Sequence, residues 1–239
     1  MSFFRFICLL TLAVVASVAS GQSSAPVRLR ISVENTESHV QTQAVQEFAQ
    51  RISELFGDDV RVEFYHSASL LRDNQVVPAI ARGEIEMAVP GTWHLGSYVP
   101  EIAYFLLPDF FGAGGRESDA FLETVAGRAL VSRMERILQV TIPGHWMDLG
   151  PAHVFTTDRP IRSLEDFSDL RIRVAGGRAN ALRVEAFGAT AVIISWPDLI
   201  NALERNTVDG VLTTFETVRS ASLWEHGIRY AWTDHEYFP

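Results

Sequence analysis

The sequence predicts an α/β fold. Residues 27–89 read as strand, helix, strand, helix and strand, and residues 170–217 repeat that order with shorter elements. Helices that connect neighbouring strands in this way make the strands parallel and pack on the faces of the sheet. The chain has 239 residues, which is long enough for two lobes or for one large domain.

The first unit has clear local signals. Residues 27–33 (VRLRISV) alternate as a strand, cap-rich residues follow at 34–38, and a helix extends to about Phe56. Apolar residues recur at helical spacing in this helix, at Val45, Phe48, Ala49, Ile52 and Leu55. The unit is completed by a strand over 60–65, a helix over 73–81 and a strand over 85–89.

The middle of the chain is less regular. Residues 100–115 are aromatic and rich in loop-forming residues, and one long helix is predicted over 117–138. Strands are predicted over 140–146 and 153–156. A short helix over 164–167 leads into the second unit.

The second unit carries the strongest functional signal. Its first strand, residues 170–174 (LRIRV), contains Arg173 near its carboxyl end, and glycines follow. Ligands of open α/β sheets bind at the carboxyl ends of strands, and a guanidinium matches a carboxylate with two parallel hydrogen bonds. Because no nucleophile, metal cluster or phosphate loop accompanies it, the pattern indicates capture of an anion, not its conversion. A structural pairing of Arg173 with Asp169 or Glu185 remains open.

Composition argues against several function classes. There are 29 Asp and Glu residues against 20 basic residues, a formal charge of −9, which argues against nucleic acids and anionic membrane surfaces as partners. All basic residues are arginine, so lysine chemistry is impossible. The histidines do not cluster, and neither a His-Glu-x-x-His nor a Gly-x-Ser-x-Gly pattern occurs. We therefore expect no cofactor, no metal site and no serine hydrolysis.

Residues 1–20 read as a secretory signal peptide. Arg5 gives a weakly positive start, residues 6–18 form an apolar run too short for a comfortable membrane span, and a small-residue cleavage site follows. The single cysteine, Cys8, lies inside this segment, so the mature chain has no thiol chemistry. We expect an exported, periplasmic protein without stable membrane insertion after removal of the signal.

A series of motifs runs through nearly the whole mature chain. In order, these are 35–39 (NTESH), 83–89 (GEIEMAV), 98–101 (YVPE), 107–111 (LPDFF), 160–174 (PIRSLEDFSDLRIRV), 187–190 (FGAT), Trp196 and 207–210 (TVDG). The series resembles the extracytoplasmic solute receptors of tripartite ATP-independent periplasmic (TRAP) transporters. No single motif is decisive, and the specificity lies in their order.

This resemblance implies a two-lobed clamp, similar to type II periplasmic binding proteins, with parallel-rich mixed sheets. The clamp would close over a small organic acid and deliver it to the membrane permease subunits of a TRAP transporter. Lobe I would span residues 21–148 and lobe II residues 149–232, with 233–239 beginning a return crossing to lobe I. Members of the family usually continue past the equivalent of Pro239, so a C-terminally truncated chain is expected.

The resemblance also assigns ligand-binding residues in lobe II. Arg173 falls on the arginine that pairs with the substrate carboxylate, and Trp196 falls on the aromatic residue that covers the ligand. Thr213 falls on a polar position where some relatives have asparagine. Glu216 lies one turn further and can accept a hydrogen bond from a ligand hydroxyl. His153 falls where some members carry a second basic residue, a departure that puts a second ligand carboxylate in doubt.

In lobe I, Asn35, Thr92 and Trp93 fall on strand-end loops that face the cleft in relatives. Structural roles remain open for several of these positions. Asn35 is also a good turn or capping residue, and Trp93 also suits a core. His153 is also typical of a buried, satisfied histidine.

Two other function classes remain open from the sequence. One is a periplasmic hydrolase or lyase that acts on a carboxylic acid, and the other is a ligand-sensing module that docks on a signalling partner. The ligand is not specified by one arginine, which suits dicarboxylates, keto acids, hydroxy acids, sugar acids and aromatic acids. His153 and the tryptophans favour something other than a simple dicarboxylate.

Overall fold

The computed structural model describes residues 25–107 and 114–237. The predicted signal peptide, residues 1–20, lies outside the described residues, as does most of the motif at 107–111. The described residues contain eight strands: β1 (Val27–Val33), β2 (Val60–Tyr65), β3 (Met87–Val89), β4 (Pro151–Thr156), β5 (Arg171–Val174), β6 (Thr190–Ile193), β7 (Gly210–Thr214) and β8 (Tyr230–Tyr237).

Seven α-helices lie among them: α1 (Val40–Phe56), α2 (Asp73–Ala81), α3 (Gly115–Leu122), α4 (Val125–Leu138), α5 (Arg178–Ala186), α6 (Leu199–Glu204) and α7 (Phe215–Ser220). Short 3-10 segments occur at Gly57–Asp59, Thr92–His94, Pro100–Leu106, Leu164–Phe167, Trp196–Asp198 and Leu223–His226. The predicted α/β class is confirmed.

The first sheet has three strands in the order β2-β1-β3, and both pairings are parallel. The predicted parallel β-α-β-α-β unit is therefore confirmed. Apolar residues of β1 and α1 pack together as a small core around Ile31, Val33, Val45 and Ala49. The chain leaves the carboxyl end of β1 at Glu34, which directs the following loop towards the second sheet.

The second sheet has five strands in the order β6-β5-β7-β4-β8. β5 is parallel to β6 and β7, whereas β4 is antiparallel to β7 and β8. β8 pairs with β4 as far as Tyr237, so it includes most of the segment assigned to a return crossing. The lobe boundaries at 148 and 232 stay predictions. The core under this sheet contains Phe167, which is fully buried against the rings of Phe187 and Trp232.

The long helix predicted over 117–138 is wrong, because the chain turns between α3 and α4. Thr124 caps α4 by accepting a hydrogen bond from the amide of Gly127 at 3.0 Å. A Cβ on Gly127 would lie 2.2 Å from the carbonyl oxygen of Phe121, so the two helices meet at a corner that only glycine permits.

The strand predicted over 140–146 is also wrong, because these residues adopt irregular structure. The amide of Ile142 donates to the Glu135 carboxylate at 2.9 Å instead of to a neighbouring strand. Pro143 cannot donate a backbone hydrogen bond, and Gly144 follows in the left-handed region at φ 77°. Apolar alternation alone did not reveal these competing interactions.

Candidate ligand-binding site

Arg173 lies near the carboxyl end of β5 with only 2% of its surface exposed. Its Nε donates to the carbonyl oxygen of Ile194 at 2.9 Å, which fixes the side chain against the end of β6. Its Nη2 is buried and has no hydrogen-bond partner in the part of the chain that the structure describes. No described hydrogen bond or ion pair joins it to Asp169 or Glu185, the structural partners that the sequence left open.

Burial also changes the electrostatics of this guanidinium. Desolvation lowers the pKa of Arg173 from its ordinary value to about 10, and the nearby carboxylates of Asp73 and Glu34 oppose that shift. Arg173 therefore remains a cation at neutral pH, but an incompletely satisfied one. Such a group attracts an anion that can enter its surroundings.

The unpaired guanidinium faces a cavity of about 30 Å³ between the two sheets. Five of the eight residues assigned from the sequence line it: Asn35, Trp93, Arg173, Trp196 and Thr213. The first sheet and its loops supply Asn35 and Trp93, and the second supplies the other three. The folded chain thus brings together positions that are up to 178 residues apart.

The other three assigned residues, Thr92, His153 and Glu216, are not among the residues that line the cavity. Thr92 is buried at a neighbouring groove next to β3. His153 is buried in β4, where its ring contacts those of Phe155 and Phe215. Their assigned roles in ligand binding stay predictions.

Glu216 makes contacts that join the two sides of the site. Its Oε1 accepts a hydrogen bond from the amide of Val40 at 3.0 Å, and the carboxylate pairs with Arg219. The side-chain hydrogen bond from Arg219 holds the pKa of Glu216 below its usual value. Its ligand-binding role stays a prediction, but the described contact places it at the start of α1.

Sequence reasoning missed two acidic residues that line the same cavity. Glu34 directly precedes Asn35 at the end of β1, and Asp73 is the first residue of α2. Both are buried. Their positions at a strand end and a helix start were visible in the sequence, but an acid next to a presumed anion site was not an expected partner. Asp73 Oδ2 accepts from the backbone amide of Trp196 at 2.8 Å, so it also links the two sides.

A pair of glycines lets the two sides approach closely. A Cβ on Gly177 would lie 2.9 Å from the carbonyl oxygen of Trp93, and a Cβ on Gly176 would lie 3.1 Å from the ring of His94. Gly177 also has a φ of 78°, which other residues rarely adopt. The start of α5 can therefore pack against the Thr92–His94 turn.

A larger and mostly apolar groove of about 1310 Å³ adjoins the small cavity. Trp93 and Ala175 line both spaces, so the two spaces meet at these residues. The groove is much larger, and two arginines line it, the buried Arg183 and the exposed Arg178. The small cavity differs in containing Arg173, whose buried Nη2 has no hydrogen-bond partner among the described residues.

Comparison with known proteins identifies the family of the chain. The family of bacterial extracellular solute-binding proteins, family 7 (DctP), matches residues 31–239. The chain belongs to this family. The resemblance to TRAP solute receptors is confirmed, as is the expectation of a receptor and not an enzyme. An extracytoplasmic, periplasmic location follows from the family. Among the described residues, no helix has the length and apolarity that crossing a bilayer requires.

Individual relatives are distant. The chain is 24% identical to the sialic acid-binding periplasmic protein SiaP of Vibrio cholerae, over 95% of this chain and 70% of that protein. It is also 24% identical to the ectoine-binding periplasmic protein TeaA of Halomonas elongata, over 96% of this chain and 67% of that protein. The chain thus spans about two thirds of the length of these relatives.

Solved structures show the same fold. The sugar acid-binding protein DctPAm of Advenella mimigardefordensis, in complex with galactonate, superposes with a TM-score of 0.80 at 22% identity, over 89% of this chain and 68% of that one. A TRAP periplasmic solute-binding protein of a Sulfitobacter species with bound β-D-galacturonate gives a TM-score of 0.81 at 19% identity, over 89% of this chain and 70% of that one. The predicted clamp fold is confirmed.

Proposed function

We propose that this protein captures a small organic acid by pairing its carboxylate with Arg173, and that it delivers the acid to the permease subunits of a TRAP transporter. The observation that carries the proposal is the buried Arg173 guanidinium, whose Nη2 lacks a partner among the described residues. A carboxylate supplies the missing acceptor and the missing negative charge in one group.

Two lobes would form the clamp, residues 21–148 and 149–232. Residues from both ranges line the cavity, which supports a site that is complete only when they meet. Asn35 and Trp93 would contact the ligand from the first lobe, and Trp196 and Thr213 from the second. Trp196 is half-buried in a 3-10 segment, where its ring can cover an enclosed ligand.

The cavity beside Arg173 is too small for an organic acid. Its volume of about 30 Å³ has room for only about two or three water molecules. The ligand must therefore enter when the lobes separate or when Trp93 moves towards the adjoining groove. Closure then removes water from around the charged pair, which strengthens its hydrogen bonds.

Contacts across the cleft would hold the closed form. The Asp73 carboxylate accepts from the Trp196 amide, and the Glu216 carboxylate accepts from the Val40 amide. An ion pair between Arg72 and Asp198 also spans the two sides. A permease that recognises the closed form would bind the surface that these contacts bring together.

Calorimetric titration of the purified protein with organic acids tests the proposal. We expect Arg173→Ala to weaken binding of the best ligand at least 100-fold, since hydrogen bonds to charged groups contribute about 1.5–3 kcal/mol each and about 1.4 kcal/mol is tenfold. Arg173→Lys should recover little, because an ammonium lacks the planar fork. Arg162→Ala removes an exposed charge from the same lobe and serves as the matched control. Wild-type affinity in Arg173→Ala would refute the assignment.

Delivery to a permease requires a separate test. Uptake of the labelled acid into vesicles that contain TRAP permease subunits should depend on added protein. It should be lost with Arg173→Ala and kept with Arg162→Ala. Uptake that is equal with and without the protein would contradict the delivery step while leaving the binding step intact.

A further inference from the structure

The start of α1 packs against α7 of the predicted second lobe. His39, the residue before α1, is buried, with 1% of its surface exposed. Its Nε2 lies 3.4 Å from Oγ1 of Thr217, and the neighbouring Val40 amide donates to Glu216 at 3.0 Å. Thr217 also lines the cavity that contains Arg173. The contact between α1 and α7 therefore joins the two lobes at the wall of the candidate site.

The hydrogen bonds of His39 require a neutral ring. The Gln41 amide donates to Nδ1 at 3.2 Å, and a backbone amide is a donor only, so Nδ1 carries no proton. The proton of the neutral ring is then on Nε2, where it can be donated to Thr217 Oγ1. Protonation of Nδ1 would break the bond with Gln41. It would also place a positive charge at the start of the 17-residue helix α1, where the helix dipole disfavours it.

The surroundings of His39 add to this preference for the neutral form. Burial lowers the pKa of His39 below its ordinary value, the Glu216 carboxylate opposes that shift, and the Arg219 guanidinium adds to it. Both charged groups are on α7, and the hydrogen-bond partners of the ring, Gln41 and Thr217, are uncharged. The Arg219 hydrogen bond lowers the pKa of Glu216. Glu216 therefore stays ionised near neutral pH, and His39 is the member of this group that titrates there.

We infer that His39 and Glu216 form a pH-sensitive contact that holds the lobes closed at neutral pH and releases them on acidification. Neither residue lines the cavity, so both act as positioning residues for capture of the acid. The inference rests on the proposed function, because it concerns the closure that a clamp requires. It assigns Glu216 to closure in place of the hydrogen bond to a ligand that the sequence suggested.

The sign of the pH effect follows from proton linkage. When the lobes separate, His39 is exposed to water and recovers its ordinary pKa of about 6.5. Below about pH 6.5 the open form therefore binds a proton that the closed form excludes, and acidification favours opening. Above about pH 7, His39 is neutral in both forms and the contact is intact. Because one proton is involved, affinity can fall by at most about tenfold per pH unit.

Calorimetry with galactonate, glucuronate and succinate as probe acids tests the inference. The acid that binds most tightly at pH 7.5 is titrated again at pH 5.5, a range in which its carboxylate stays ionised. Its Kd should rise about three- to tenfold over this range. Binding at pH 6 should also release part of a proton, which titrations in two buffers of different ionisation enthalpy measure. A purely structural role of His39 would produce neither effect.

His39→Asn tests the titrating group directly. Asparagine is a good N-cap acceptor for the Gln41 amide but takes up no proton in this range. The variant should bind within about threefold of the wild type at pH 7.5, because one neutral hydrogen bond is lost. It should lose the pH-dependent rise in Kd and the proton release. His94 and His153 are unchanged in it, so their effects remain. His145→Asn makes the same change on an exposed histidine and should behave as the wild type.

Glu216→Gln separates closure from a direct role in binding. It keeps an acceptor for the Val40 amide but removes the charge that favours a protonated His39. The ratio of the Kd at pH 5.5 to the Kd at pH 7.5 should therefore exceed that of the wild type. If Glu216 instead binds the acid directly, the variant should weaken binding by the same factor at both pH values. Thermal unfolding verifies that each variant is folded.

The outcomes separate this inference from the function on which it rests. A wild-type Kd that is the same at both pH values would overturn the inference, as would a rise in Kd and a proton release that persist in His39→Asn. If His39→Asn does not fold, the Kd ratio of Glu216→Gln decides, and a ratio equal to that of the wild type would overturn it. Failure of every probe to bind at pH 7.5 would refute the proposed function itself, and the inference with it.

Discussion

Replacement of Arg173 by methionine should stabilise the unliganded protein while abolishing capture of the acid. Burial lowers the pKa of Arg173 to about 10, well below its ordinary value, and each pKa unit corresponds to about 1.4 kcal/mol. The charge therefore costs the folded state about 3 kcal/mol. Methionine removes this cost but also loses the hydrogen bond to the Ile194 carbonyl, worth about 1 kcal/mol. The net expectation is a gain of about 2 kcal/mol.

The sign of the effect sets the pH range of the measurement. Burial disfavours the charged form, so the penalty is fully present below about pH 10 and disappears as the pH rises from there towards the ordinary pKa of arginine. Urea denaturation without ligand at pH 7 therefore measures it in full. For a chain of this length, about 2 kcal/mol corresponds to a Tm increase of about 4–8 °C.

A matched variant and a clear contrary result complete the test. Arg162→Met replaces an exposed arginine and should change the free energy of unfolding by less than about 0.5 kcal/mol. If Arg173→Met destabilises the protein instead, its positive charge is needed to balance the Glu34 and Asp73 carboxylates. Arg173 would then be a structural cation, and its buried charge would no longer argue for a ligand.

Two further predictions concern backbone approach and pH. Gly177→Ala should lower the free energy of unfolding by about 1–3 kcal/mol and weaken ligand binding in calorimetric titration, because the new Cβ would meet Trp93. The control is Gly188→Ala, which also has a positive φ but has open space around it. It should strain the backbone without weakening binding. The Arg30 hydrogen bond lowers the pKa of Glu86 to about 2, so Glu86→Gln should lower the free energy of unfolding by about 1–2 kcal/mol above pH 4.5, after allowance for solvent screening. In urea denaturation, the difference between the two proteins should decrease as the pH falls towards 2. A difference that is independent of pH would contradict this prediction.

The sequence predicted the sheets more accurately than the connections between them. Strand and helix periodicity identified the first sheet and the helices α1 and α2, because local apolar patterns dominate there. The strand over 140–146 failed because Ile142 donates to a side chain and Pro143 cannot pair. The corner at Gly127 could not be predicted from the sequence either, since it depends on contact between two helices.

The candidate site was predicted in part. Arg173 and Trp196 could be found from a strand end, a loop and a family resemblance, and both line the cavity. Glu34 and Asp73 could not be assigned in the same way. Their importance comes from tertiary structure, which buries them beside a guanidinium that is more than 90 residues away in the chain. The spacing of residues along the sequence does not predict which of them lie close together in the fold.

The bond from Arg173 Nε to the Ile194 carbonyl has a consequence for binding kinetics. An arginine side chain has about 2 kcal/mol of rotamer entropy, and here the backbone of a neighbouring strand has already immobilised it during folding. A ligand that binds here therefore meets a side chain that is already held in place, and little further rotamer entropy is lost on binding. Such preorganisation prolongs the residence time of a complex more than it speeds encounter.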